Sequence, residues 1–244
     1  MQTVIIYGGG GVGAATAKIL NAQGYHIHYV GRDIEKLELE AKAVGATFTL
    51  GDVLDDTVFA KATADAVVQS GGALAGLVYA VGTINLKPLA RLTDVDFLTD
   101  FRINALGAAK AVQAAQSALK AFEGVASVVL FSTVAVAQGF AAHASIAMAK
   151  GAIEGLTLSL AAELAPKIRV NAIAPSLTKT PLARALTGSE QMVTAISAMH
   201  ALGRLGEPED IANLAAFLIS PQSSWMTGQI IGVDGGRSSL RVKG

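Results

Sequence analysis

The chain contains no cysteine in its 244 residues. A disulfide framework and thiolate chemistry are therefore excluded. It has no excess charge of either sign: 19 Lys and Arg balance 19 Asp and Glu, and the isoelectric point is near 6.9. That balance argues against a nucleic-acid partner or an anionic membrane surface. Long hydrophobic runs are missing too. The opening MQTVIIYGG is far too short for a signal segment or a spanning helix, so a cytoplasmic location without a membrane partner is expected. Charged residues make up only 16% of the chain against 52% hydrophobic, and mean hydropathy is +0.48. A surplus of this kind, carried largely by Ala and Gly, suits a buried parallel sheet with closely packed helices and subunit interfaces. A chain of this length can bury a full core without cross-link or metal. The expectation is a single α/β domain over residues 1–244 with no metal site.

What is present is alternation. Short apolar runs, several rich in Val, Ile and Tyr, predict strands at 3–7, 26–30, 47–50, 75–80, 125–131, 168–173 and 228–233. Between them, segments such as AATAKILNAQ and EDIANLAAFLI repeat their apolar positions at the helical period. Strands that alternate with helices predict βαβ units, and seven of them make a doubly wound α/β fold with a seven-stranded parallel sheet and helices on both faces.

The first strand runs straight into Gly8-Gly9-Gly10-Gly11-Val12-Gly13 and then a helix, AATAKIL. Glycines at such a turn let the backbone approach a pyrophosphate, and the helix N-terminus offers unpaired N–H groups to its oxygens. A flexible turn with no ligand is the plainer reading, but the placement between strand and helix favours the cradle. The second strand is followed by Gly31-Arg32-Asp33. An acidic side chain there binds a ribose 2′-OH, whereas an arginine suits a 2′-phosphate. Arg32 points to NADP(H). The competing reading puts Asp33 on the ribose and leaves Arg32 solvated, with NAD(H) as cofactor.

Residues 125–165 say most. VASVVLFSTVAVAQGF reads as a buried strand ending in hydroxyls, and HASIAMAKGAIEGLTLSLAAEL as a long helix with one lysine near its start. The stretch resembles the catalytic segment of the short-chain dehydrogenase/reductase family. The resemblance extends to GVGAATA, IRVNAIAPSLTKTPLA, LGRLGEPEDIANLAAFLIS and MTGQIIGVDGG, and it implies a Rossmann domain. In that family a Ser lies thirteen residues before a Tyr, and the Tyr four before a Lys. Counting back from Lys150 places the Ser at Thr133 and the Tyr at Ile146. The resemblance makes Lys150 the residue that holds the nicotinamide ribose and Thr133 the hydroxyl that orients a substrate oxygen. It makes Asn104 the link between the lysine and water, although a lone helical Asn is otherwise a local hydrogen-bonder. It puts Asp52 and Val53 near adenine, where a turn aspartate is the plainer reading. The family's Asn-Asn-Ala-Gly becomes Tyr79-Ala80-Val81-Gly82, with Ala80, Val81 and Gly82 beside the cofactor in altered packing. Pro175, Ser176, Thr178 and Thr180 fall in the segment that closes over the nicotinamide.

Ile146 has no proton to give, and losing a positioned general acid costs about 10²–10⁴ in rate. His143 is one substitute. At about 100° per residue it lies about 20° from Lys150 around a helix, and the enoyl-acyl-carrier reductases of the same superfamily space their Tyr to fall on this position. A surface histidine in the first turn is the alternative. Ser145 points about 100° away from position 146. A third route is a substrate, such as an iminium or activated alkene, that needs no acid. Residues 181–200, rich in Ala, Leu and Met, read as a lid over an apolar or amphiphilic substrate. Gly151 and Gly155 allow close helix approach, and the family pairs this helix in homodimers and homotetramers. The sequence thus leads to an NADP(H)-dependent oxidoreductase. It would move a hydride to or from a small apolar carbonyl, imine or enone, with Asn104, Thr133, Lys150 and His143 as catalytic residues. The alternative is a non-catalytic NADP(H)-binding sensor or assembly protein.

Overall fold

The computed structural model describes residues 1–68 and 70–241. Its strands are β1 (Thr3–Tyr7), β2 (His26–Gly31), β3 (Thr47–Leu50), β4 (Gly76–Tyr79), β5 (Ala126–Phe131), β6 (Ile168–Pro175) and β7 (Ile230–Val233). They form one parallel sheet in the order β3-β2-β1-β4-β5-β6-β7. The longer helices are α1 (Val12–Ala22), α2 (Ile34–Val44), α3 (Thr57–Val67), α4 (Asp94–Phe101) and α5 (Gly107–Ala121) in the first half. A short α6 (Val134–Ala137) precedes the long α7 (Ala144–Leu164), and α8 (Arg184–Thr187), α9 (Glu190–Ser197) and α10 (Pro208–Ile219) follow. The seven strands stand where the apolar runs predict them. The chief difference is β6, which continues to Pro175 because β7 pairs with it up to Val233.

Two cores, one on each face of the sheet, explain the apolar composition. Side chains alternate along a strand, and β1 shows it directly. Ile5 and Tyr7 enter the core shared with α3, α5 and α7, while Val4 and Ile6 enter the core shared with α1, α2 and α10. A strand covered on both faces has little room for polar side chains, so its sequence reads as a nearly continuous apolar run. On the first face the rings of Tyr7, Phe59 and Tyr79 pack together, with centroids 5.9 and 5.6 Å from Tyr7. The Tyr79 hydroxyl donates to the Ile103 carbonyl at 2.6 Å. That carbonyl lies in a π-helical turn, Arg102–Leu106, which joins α4 to α5. Tyr79 therefore finds its partner in the widened turn.

The strand order reverses between β1 and β4. In open α/β sheets such a switch opens a crevice beyond the carboxyl ends of the strands, and ligands bind there. α1 starts directly above this point. α2 begins on Asp33, whose carboxylate accepts from Lys36 N at 3.2 Å, and ends on Gly45 in the left-handed region.

Polar residues of β2 and β3 form a chain at the sheet's edge. His28 Nδ1 meets Thr47 Oγ1 at 2.8 Å, and His28 Nε2 meets Thr49 Oγ1 at 2.9 Å. The Thr49 hydroxyl donates to Asp65 at 2.6 Å, so His28 Nε2 must be the donor to Thr49. Burial pushes the pKa of His28 down to about 4 from 6.5. The unfolded chain binds more protons between these values, so stability rises with pH across that window and is lost as pH falls through it. We expect His28→Gln to remove up to about 3 kcal/mol of acid sensitivity. Denaturant melts at pH values on either side of the window check it; the same slope in both proteins would exclude His28 as the cause.

Candidate active site

A cavity of about 1030 Å³ opens beyond the carboxyl ends of the strands. Gly8, Gly9, Gly10, Gly11, Val12, Arg32, Asp52 and Val53 line one part of it. Ala80, Val81, Gly82, Thr133, His143, Ile146, Lys150, Pro175, Ser176, Thr178 and Thr180 line the rest. Gly13 and Asn104 stand behind the wall.

The glycine loop has the shape an anion needs. Gly8 has φ +97°, and a Cβ there would meet the Ala80 carbonyl oxygen at 2.9 Å; one on Gly13 would collide with the Gly8 carbonyl. Neither position tolerates a side chain, so β1, α1 and the loop after β4 close up on bare backbone. Gly8 N donates to Val30 O and Gly13 N to Gly10 O. Among the described residues no protein acceptor meets the N–H groups of Gly9, Gly10 and Gly11. The first turn of α1 holds no acidic residue, and its N-cap makes no side-chain bond. An uncapped helix end with free N–H groups and no competing carboxylate fits a phosphate.

At this end the structure adds Lys36, which the sequence reading overlooks. From the first turn of α2 its ammonium group reaches over Gly10 and lines the cavity. Arg32 is mostly exposed and sits 3.5 Å from Asp52, a loose solvent-facing pair worth little by itself. Asp33 spends one carboxylate oxygen on capping α2.

At the other end Lys150 is buried and donates to the Phe131 carbonyl at 2.8 Å. Desolvation pushes its pKa down to about 8 from 10.5, and the negative charge of Asp100 partly offsets this. Asp100 is itself buried. Its carboxylate accepts from the Thr83 hydroxyl at 2.6 Å, the Asn85 amide at 3.2 Å and the Ser145 hydroxyl at 2.5 Å. Ser145 is thus committed to Asp100 and is no proton donor to the cavity. The Asn104 amide is committed too. Its Nδ2 donates to Thr83 Oγ1 and to the Asp100 carbonyl, both at 2.8 Å, and its Oδ1 accepts from Thr83 N at 3.3 Å. A Cβ on Gly82 would meet Asn104 Oδ1 at 3.0 Å and Lys150 Nζ at 3.4 Å, so that glycine fits tightly against both side chains.

The two hydroxyls at the end of β5 part company. Ser132 donates to Glu154 at 2.6 Å. Thr133 caps α6, its oxygen accepting from Ala135 N at 3.3 Å, which leaves its own proton free. Ile146 is buried one turn before Lys150 and is part of the cavity wall. His143, at the N-cap of α7, holds its Nδ1 2.7 Å from the Ala141 carbonyl. A carbonyl only accepts, so Nδ1 carries the proton and Nε2 is left for another partner. The lid is built from a short 3-10 turn, Pro181–Ala183, with α8 and α9. It turns Leu182, Leu186, Ile196 and Met199 toward the cavity. Its far end is tied down by His200, whose Nε2 accepts from the Ser176 hydroxyl at 2.8 Å while Nδ1 donates to Ile196 O at 2.8 Å.

The cavity at the switch point thus brings uncommitted loop N–H groups, a buried lysine and a free hydroxyl together in one site that can take an anionic ligand. The family model described as Enoyl-(Acyl carrier protein) reductase matches residues 8–238, and the chain belongs to the short-chain dehydrogenase/reductase family. It is 35% identical over 243 residues to a tropinone reductase homologue of Arabidopsis thaliana, covering 96% of this chain and 91% of that protein. It is 36% identical over 243 residues to the short-chain reductase NovJ of Streptomyces niveus, covering 94% and 90%. Among solved structures, a short-chain dehydrogenase/reductase from Mycobacterium ulcerans superposes with a TM-score of 0.91 at 28% identity, over 98% of this chain and 90% of the other. A variant of actinorhodin polyketide ketoreductase with NADPH gives 0.92 at 25% identity, over 98% of both. Among the described residues no helix is long and apolar enough to cross a membrane.

The buried amine makes one thermodynamic prediction. Below about pH 8 the folded chain must hold Lys150 charged in a poor solvent; as pH rises from about 8 to 10.5 that penalty fades, because there the unfolded chain binds more protons. Lys150→Met should therefore stabilise the ligand-free protein near neutral pH, by up to about 3 kcal/mol, and much less near the ordinary lysine pKa. Urea melts at the two pH values test this, and an equal effect at both would count against it.

Proposed function

We propose that the protein is an NADP(H)-dependent reductase of small carbonyl compounds in which His143 takes the place of the family's tyrosine. The observation that carries this reading is the pairing of Ile146 with His143. Ile146 fills the wall one turn before Lys150, and His143 faces the same cavity with Nε2 uncommitted. The relatives named as reductases and the ketoreductase with NADPH support a carbonyl substrate. An imine or enone would use the same site with less demand for an acid.

A bound reduced nicotinamide would supply the hydride. The glycine loop would hold its phosphates with the backbone donors of Gly9, Gly10 and Gly11. Lys150 carries three N–H groups; one is spent on Phe131 O, and two remain for ribose hydroxyls. Thr133 donates to the substrate oxygen. When His143 is charged both ring nitrogens carry protons, so Nε2 gives its proton to that oxygen while Nδ1 keeps its bond to Ala141. The ring is then left in the tautomer that this bond favours. Asn104 acts by position, because both ends of its amide are held by the protein.

The preference for NADP(H) rests on charge. Arg32 and Lys36 flank the cavity near the end of β2, and Asp33, the side chain that would favour a 2′-hydroxyl, is engaged as a helix cap. The chain is proposed to work as one domain in a homodimer or homotetramer. The contact would form on α7, where Met148 and Leu158 are exposed beside Gly151 and Gly155.

Nicotinamide fluorescence is the readout of choice for binding, since Trp225 is 99% exposed and lies outside the cavity wall. Arg32→Ala should weaken NADPH at least about tenfold more than NADH; equal losses would exclude Arg32 as the phosphate ligand. His143→Ala should lower kcat/KM on a ketone by about 10²–10⁴ without loss of NADPH affinity. Unchanged turnover would remove His143 from the mechanism. NADPH binding by the wild-type protein with no turnover on any carbonyl, imine or enone would favour the sensor reading.

A further inference from the structure

The catalytic end of the cavity carries a cation with no carboxylate partner among the described residues. Arg237 follows β7 and lines the cavity together with Phe140 and His143. Its guanidinium carbon lies 4.8 Å from the Phe140 ring centroid, and that ring meets the His143 ring edge-on at 5.4 Å. The aromatic face holds the cation in place but leaves its planar edge open. Nη1 is buried and has no hydrogen-bond partner among the described residues.

The nearest carboxylate in sequence does not neutralise it. Asp234 accepts from Gly236 N and Ser238 N, both at 2.9 Å, and from the Ser238 hydroxyl. Asp234 builds the turn that presents Arg237. Among the described residues the only carboxylates in the cavity wall are Asp33 and Asp52, and both stand at the Arg32 end. At the catalytic end the ionisable groups are Arg237, His143 and Lys150, all basic, set among Ile146, Leu182, Leu186 and Met199. A guanidinium recognises a carboxylate through paired N–H donors. A buried donor without an acceptor is costly for the free protein and is repaired when an acceptor arrives.

We infer that the substrate is an anionic amphiphile: a carbonyl compound with an apolar body and a carboxylate that binds Arg237. The inference deepens the proposed reductase reading and uses the same cavity. It narrows the apolar substrate expected from the lid's composition to one that carries a charged end. Arg237 is then the specificity residue, and Phe140 the residue that positions it.

The test compares ligands that differ by one charge. Benzoylpropionate and levulinate, each beside its methyl ester, are titrated into the NADP⁺-loaded protein by calorimetry, and turnover of the same four ketones is followed with NADPH. The acids should bind at least about tenfold more tightly than the esters. Arg237→Gln should bring the two within about twofold, and Arg237→Lys, which keeps the charge but loses the paired donors and the stacking plane, should keep only part of the preference. Esters that bind as well as acids, binding of neither, or a preference that survives in Arg237→Gln would each overturn the inference. A preference for the acids that depends on Arg237, with no turnover of any ketone, would leave the anion site standing and defeat the reductase reading instead.

Discussion

The active end of this molecule is organised around one buried carboxylate. Asp100 sits on α4 with almost no contact with water, where an isolated charge would be prohibitively expensive. It is tolerated because Thr83, Asn85 and Ser145 converge on it. Those donors come from the loop after β4 and the first turn of α7. Satisfying one side chain therefore sets the spacing of three segments. Through Thr83 the same network holds Asn104, and the negative charge of Asp100 offsets part of the cost of burying Lys150. Removal of a single partner from such a group leaves an uncompensated charge, so these hydroxyls are as much part of the site as the residues that face the cavity.

The π-helical turn belongs to the same economy of donors and acceptors. A widened turn breaks the regular pairing of a helix and frees carbonyls. Here Asp100 O is taken by the Asn104 amide and Ile103 O by the Tyr79 hydroxyl. The irregularity lets an asparagine sit in the middle of a long helical stretch without competing against its backbone. It also ties that stretch to the centre of the sheet through β4.

Much of the fold was legible because parallel strands buried on both faces leave an unbroken apolar signature, as in β1 and β5. The glycine loop was legible for a different reason, that backbone collisions at Gly8 and Gly13 forbid any other residue. Lys150 and Thr133 could be placed by spacing along a known segment. What could not be read depended on partners distant in sequence. Asp100 lies in DVDFLTDF, which looks like an exposed acidic helix until Ser145 is brought to it. Ser145 looked like a spare hydroxyl for the same reason. Lys36 and His200 lie outside any motif; one gains its place from the turn of α2 over the glycine loop, the other from the return of the lid to Ser176. Arg237 follows a recognisable strand, but only the folded turn set by Asp234 shows that it faces the cavity without a carboxylate partner among the described residues.

The position of β1 has a consequence for how the molecule comes into being. This first strand is central, and it pairs on one side with β2 and on the other with β4. Its second neighbour does not exist until synthesis has passed residue 79, and the lysine helix and the closing segment after β6 come later still. Contacts so far apart along the chain form slowly. The glycine loop is made first but lacks its floor until the loop after β4 and its catalytic wall until α7. A nascent chain therefore exposes the edge of β1 until β4 is made, when such an edge invites wrong pairing. The cavity at the switch point is among the last features to be completed, so binding there reports on the finished molecule and not on its amino-terminal half.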